Sequence, residues 1–169
     1  MTVYSIDKLM SEARRLAADY RRATGKTLPI TGEIAIHDAI RFLNLEPAGE
    51  GAVGYDAIRR QGDGVKRFQV KGRAIFDETK SGHRLGQLKV EQVWDAILLV
   101  LMDEAYETSE IYEADREEIL EALGDAGESR RANRGAMSVA RFKIIGRLVW
   151  SRERGREDDG YWDNAKVPW

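Results

Sequence analysis

A chain of 169 residues, 43% hydrophobic and 33% charged, is long enough for one compact domain with a substantial core and too short for two ordinary ones. It has no cysteine and two histidines, His37 and His83, which excludes disulfide staples, thiolate metal sites, a cysteine nucleophile and a His-rich zinc centre. The formal charge of -2 points to no particular partner, and the longest uninterrupted apolar run, Ala96–Met102, falls far short of the roughly 20 residues that span a bilayer. With no signal-peptide pattern in Met1–Lys8, a soluble cytoplasmic protein is expected.

In chain order, Leu9, Ala13, Leu16, Ala17 and Tyr20 recur at helical spacing behind Ser5, which predicts an amphipathic helix over Ser5–Thr24 capped by that serine. Gly25–Pro29 breaks it. Thr31-Gly32-Glu33 opens a second helix running to about Leu43, with Ile34, Ala35, Ala39, Ile40 and Leu43 as its buried set. Asn44–Gly54 reads as a loop. From there the pattern becomes β-like: Gly54–Ile58, a Gln61-Gly62-Asp63-Gly64 turn, then Val65–Ile75 with Phe68 and Val70 alternating against polar positions, which predicts a hairpin. Leu85–Val93 fits either a short helix or an extended connector, and Trp94–Met102 fits a fully buried central strand. Glu107–Tyr112 reads as an edge strand. Asp115–Leu123 reads as a helix with an Asp115-x-x-Glu118 capping box. Ser138–Trp150 approaches helical periodicity despite Gly146, and Ser151–Trp169 is a charged, then aromatic tail.

Charge is segregated along the chain. Residues 103–128 hold eleven acidic side chains and one basic one, whereas residues 129–156 hold nine basic and one acidic. Arg130, Arg131, Arg134, Arg141, Lys143 and Arg147 suit contact with a phosphate backbone, and pairing with the acidic segment is the competing explanation.

The segment with most chemical content is Gly54-Tyr55-Asp56-Ala57, followed thirteen residues after Asp56 by Gln69-Val70-Lys71. On adjacent antiparallel strands Asp56 reaches Gln69 and Lys71, which stand at i and i+2 and so share one face. Hydrolysis of a phosphodiester by Mg²⁺ needs hard oxygen ligands, and the Asp56 carboxylate, the Gln69 amide oxygen and the Val70 backbone carbonyl can supply them. Lys71 stands where an ammonium positions water or stabilises charge on phosphate. Glu33, in the first turn of the preceding helix, is the natural fourth member.

These segments resemble the PD-(D/E)xK superfamily of restriction-endonuclease-like nucleases. The likeness is carried by Glu33 on the early helix, Gly54-Tyr55-Asp56-Ala57 on one strand and Gln69-Val70-Lys71-Gly72-Arg73 on the next, over about residues 31–102. The same Thr-Gly-Glu, Gly-Tyr-Asp-Ala and Gln-x-Lys-Gly-Arg segments are similar to those of a family of small bacterial proteins within it. The resemblance implies an α/β fold with a restriction-endonuclease-like core of helix, β-hairpin, helix and central strand at about 31–124. An N-terminal helix precedes this core, and a basic C-terminal helix and tail follow at 125–169. It further implies Glu33, Asp56, Gln69 and Lys71 as catalytic residues, with Glu33, Asp56, Gln69 and the Val70 carbonyl around Mg²⁺ or Mn²⁺. Arg73 and the basic segment would engage DNA, and a homodimer would cut both strands. Tyr55 stands where the superfamily commonly has Pro, and Gln69 where it has Asp or Glu, so the site has one negative charge fewer.

Each residue also has a plain structural reading: Asp56 as a polar residue near a turn, Lys71 as a snorkelling strand residue, Glu33 as a partner of the helix dipole. The alternative to a nuclease is a catalytically inactive relative that binds DNA or protein, in which Asp115–Leu123 and Ser138–Trp150 would form a helix-turn-helix pair.

Overall fold

The computed structural model describes residues 5–79, 82–125 and 136–157. Helix α1, Ile6–Thr24, starts where Ser5 Oγ accepts the Lys8 amide and stops at Gly25, whose φ of +71° supplies the left-handed cap. Helix α2, Thr31–Leu43, follows with Glu33 in its first turn. Strands β1 (Glu46–Pro47), β2 (Ala57–Gln61) and β3 (Gly64–Ala74) come next, then β4 (Ala96–Met102) and β5 (Thr108–Asp115). Helices α3 (Arg116–Asp125) and α4 (Val139–Ile145) precede β6 (Arg147–Ser151) and β7 (Gly155–Arg156).

The strands form one seven-stranded sheet in sequence order, antiparallel throughout except where β3 runs parallel to β4. All seven residues of β4 are buried, as its unbroken apolar run requires of a strand covered on both faces. The pleat then sorts the side chains. Phe68, Val70, Leu98, Val100 and Met102 point to the side covered by α1 and α2, where Ala17, Ile34, Ala35, Ala39 and Leu43 meet them. Ile97, Leu99 and Leu101 point to the other side, against Leu88, Trp94, Ile119 and Phe142 from the 85–94 segment, α3 and α4.

The hairpin and both N-terminal helices match the pattern read from the sequence, and Glu118 accepts the Asp115 amide at 3.0 Å as half of the expected capping box. Six expectations change, two of them small: the paired strand β1 falls inside the predicted loop Asn44–Gly54, and β7 inside the predicted tail after Ser151. The buried side of α1 is Arg14, Ala17 and Ala18, while Leu9 and Leu16 are exposed. Arg14 can be buried because Asp38, itself 1% exposed, receives it through two hydrogen bonds of 3.0 and 3.1 Å. Residues 107–112 belong to an interior strand, because β6 pairs with the far side of β5. The stretch from Ser138 to Trp150 is not one helix. Gly146 ends α4 after seven residues with an extended backbone that packs on the Glu113 carbonyl, and the chain continues as β6, which removes the helix-turn-helix pair. No helix occurs among the described residues of 75–95, so the connection from β3 to its parallel neighbour is the extended alternative and the core lacks the helix expected before the central strand. No described helix is long and apolar enough to cross a membrane.

Candidate active site

The site lies where β2 peels away from β3. Asp56, one residue before β2, donates its amide to the Phe68 carbonyl at 2.7 Å, and its Oδ2 accepts the Val70 amide at 2.8 Å. A carboxylate thus replaces the departing strand as the acceptor for a buried backbone donor. Among the described residues, Asp56 Oδ1 accepts no hydrogen bond. Because the amide and carbonyl of one strand residue face the same neighbouring strand, the Val70 carbonyl lies on the Asp56 side of β3.

Gln69 is 4% exposed. Its Nε2 donates to the Gly54 carbonyl at 3.1 Å, which fixes the amide orientation, since a carbonyl can only accept. Its Oε1 is buried and has no partner among the described residues. A buried amide oxygen left without a donor costs about 1–3 kcal/mol.

Lys71 shares the Gln69 face of β3 and is half-buried. Burial holds its ammonium below the ordinary lysine value, with neighbouring Lys89 and Arg73 adding to the effect and Asp56 opposing it. Asp56, Gln69 and Lys71 are therefore brought together as the hairpin register predicts.

Glu33 is not joined to them. It is exposed on α2, which covers the opposite face of the sheet, and no contact links it to Asp56, Gln69 or Lys71. His37, four residues on, lies 3.3 Å from Asp7 instead. Among the described residues no group of three or more His, Cys, Asp or Glu side chains gathers in a metal-binding arrangement.

The predicted phosphate contacts fare unevenly. Arg73 is half-buried, where desolvation lowers its pKa, and it donates to the carbonyls of Arg84 and Gly72 as an anchor for the connector. Arg130, Arg131 and Arg134 lie outside the described residues. Lys143 pairs with Glu110 at 3.6 Å, Arg147 with Glu113 and Asp115, and Arg152 with Asp103 at 2.7 Å, so these members of the basic segment neutralise the acidic one. Arg141 is exposed on α4.

The sequence reading missed a fourth wall, the turn Lys89–Trp94. The Lys89 carbonyl accepts both the Gln92 amide and the Trp94 indole N–H at 3.0 Å. Arg116, at the start of α3, donates to the carbonyls of Gln92 and Trp94 at 3.0 and 3.2 Å and to that of Val90, with its guanidinium over the Trp94 ring. The turn leans on Gly54: a Cβ there would lie 2.6 Å from Gln92 Cβ, and the φ of +94° also demands glycine. Gly54 beside Asp56 is visible in the sequence, but nothing local marks Lys89.

Chemically the arrangement offers one carboxylate, an unsatisfied amide oxygen, a backbone carbonyl and ammonium groups. Oxygens of this kind are the donors that a hard divalent cation takes, with one carboxylate among them. No protein-family model matches the chain, and no curated protein is similar to it.

Proposed function

We propose that the protein is a metal-dependent nuclease that binds DNA and hydrolyses its phosphodiester bonds from a restriction-endonuclease-like site. The observation that carries this reading is the buried, unpartnered Oε1 of Gln69, on the face of β3 that also carries Lys71 and next to the strand end where Asp56 bonds Val70. Asp56 Oδ1, Gln69 Oε1 and the Val70 carbonyl are the oxygens that would hold Mg²⁺ or Mn²⁺, which when bound supplies Lewis acidity and lowers the pKa of a coordinated water. Asp56 keeps this geometry through its bond to Val70, and Lys71 holds the attacking water or the phosphate oxygen. A homodimer provides the second site needed for duplex cleavage, and the cytoplasm is the compartment where such a protein meets DNA.

Plasmid cleavage with Mg²⁺ or Mn²⁺ tests the reading. Asp56→Asn should lower the rate by about 10²-fold or more while circular dichroism stays unchanged. Cleavage at the wild-type rate would remove Asp56 from the chemistry.

A second reading rests on the separation of Glu33 from the cluster, which leaves Asp56 as its one carboxylate. An inactive module that binds DNA or protein would show no cleavage with either metal, and any DNA affinity would be indifferent to EDTA.

A further inference from the structure

Independently of the phosphodiester chemistry above, we propose that two copies of the chain pair through α1, lying antiparallel about a two-fold axis between Glu12 and Arg15. Helix α1 has two apolar sides, and the fold uses one. Arg14, Ala17 and Ala18 pack inward, whereas Ile6, Leu9, Leu16 and Tyr20 are 67%, 46%, 60% and 36% exposed. Four of the nine large apolar side chains exposed among the described residues therefore lie on this one helix. Ile6, Leu9, the half-buried Ala13, Leu16 and Tyr20 follow one another at alternating steps of three and four residues. That spacing makes a continuous stripe with a seven-residue repeat, the pattern that seats a second helix.

The charges beside the stripe identify its occupant. Lys8, Glu12, Arg15, Asp19 and Arg22 run along its outer flank, all exposed and alternating in sign. Reversed and laid against itself, this row sets Glu12 against the partner's Arg15 and Lys8 against the partner's Asp19, and the two-fold axis repeats each contact. The same register seats Leu9 between the partner's Leu16 and the partner's Tyr20. A parallel pair in register would set each charge against its own copy, and a lipid surface calls for a uniformly basic flank. Glu12 and Arg15 stand one turn apart, yet neither forms an ion pair with the other or with any described residue, so both are available at the axis. Helix α1 covers the Val70 side of the sheet, away from Gln69 and Lys71, so pairing leaves the site of each copy uncovered. An interface of one helix a side is small, which places its dissociation in the micromolar range.

The experiment follows the full chain by sedimentation velocity across a micromolar dilution series. Wild type should pass from dimer to monomer on dilution. Leu16→Glu should weaken association about a hundredfold while circular dichroism stays unchanged, because an exposed side chain is replaced. Glu12→Arg and Arg15→Glu should each weaken it about tenfold, since every dimer holds the contact twice, and an equimolar mixture of the two variants should associate at least as tightly as wild type. The chain has no cysteine, so single thiols report the orientation. Ala13→Cys, beside the axis, should give a disulfide-linked dimer on oxidation. Leu9→Cys should not, because its two copies lie about 13 Å apart along the antiparallel helices. A monomer throughout the series, association indifferent to Leu16→Glu and both charge reversals, or a disulfide at Leu9→Cys in place of Ala13→Cys would overturn the pairing. Flotation of the chain with phosphatidylserine vesicles, lost in Leu16→Glu, with no dimer in solution would overturn it in favour of a lipid surface. One protomer suffices to nick one strand, so plasmid nicking by Leu16→Glu tests the nuclease site apart from the pairing.

Discussion

Asp56 Oδ2 accepts the Val70 amide at 2.8 Å, so the residue proposed to hold the cation is also the residue that ends the β2–β3 ladder. The two roles separate by substitution. Asp56→Asn keeps an acceptor for Val70 and should unfold within about 0.5 kcal/mol of wild type. Asp56→Ala leaves a buried amide without a partner and should lose about 1–3 kcal/mol in urea denaturation. Equal stability of the two variants would show that water replaces the carboxylate at Val70.

Glu113 presents a different kind of constraint. It is 0% exposed, 3.3 Å from Lys66 and 3.6 Å from Arg59, and it bonds Arg147, so cations from β2, β3 and β6 converge on one buried carboxylate. Glu113→Gln should destabilise by about 3–5 kcal/mol, because three cations then share a region with no buried countercharge. A loss under about 1 kcal/mol would mean that the cations turn to solvent at little cost.

Gly72 fixes the approach of α2 to β3. A Cβ at this position would lie 2.7 Å from Ala35 Cβ and 3.0 Å from the Thr31 carbonyl. Gly72→Ala should therefore push the start of α2 off the sheet and cost about 1–3 kcal/mol. The same substitution should weaken the site through the adjoining Lys71. Unchanged thermal denaturation would show that α2 shifts freely.

Acid stability should report on Asp103. Burial pushes its carboxyl up, but hydrogen bonds from Arg152 and from the amides of Glu107 and Ala105 outweigh this and hold it below the ordinary value of 3.8. A depressed carboxyl stabilises the fold fully above its unfolded pKa and loses that contribution as pH falls through the folded one. The stability difference between wild type and Asp103→Asn should accordingly be constant near neutral pH and shrink under acid below the ordinary carboxyl value. A difference that does not vary with pH would detach Asp103 from the acid response.

Local signals were legible where a local rule decides the outcome. Ser5 and Gly25 mark α1, the Gln61–Gly64 turn marks the hairpin, and the hairpin register alone brings Asp56, Gln69 and Lys71 together. Partnership between distant segments was not legible. The α1 apolar stripe predicts which residues could be buried, yet Asp38 draws Arg14 inward and leaves Leu16 outside. Residues 107–112 look like an edge until β6 arrives, and the apolar spacing of Leu85 and Leu88 suits a helix as well as the extended connector that is formed. Glu33 shares its helix with residues that face the sheet, and only the position of that helix shows that Gln69 and Lys71 point away from it. The turn from Lys89 to Trp94 is held by Arg116 through the carbonyls of Val90, Gln92 and Trp94, contacts that no sequence spacing announces.

The parallel pairing of β3 with β4 also orders events in time. Hairpins close early because their ends are neighbours, but a parallel pair must first close the whole 75–95 connector, and loop entropy delays that step. Asp56, Gln69 and Lys71 meet with the hairpin, whereas Lys89 and Gln92 arrive only once the connector has docked. A chain with a formed hairpin therefore carries Asp56, Gln69 and Lys71 in place before the turn that packs on Gly54 has arrived.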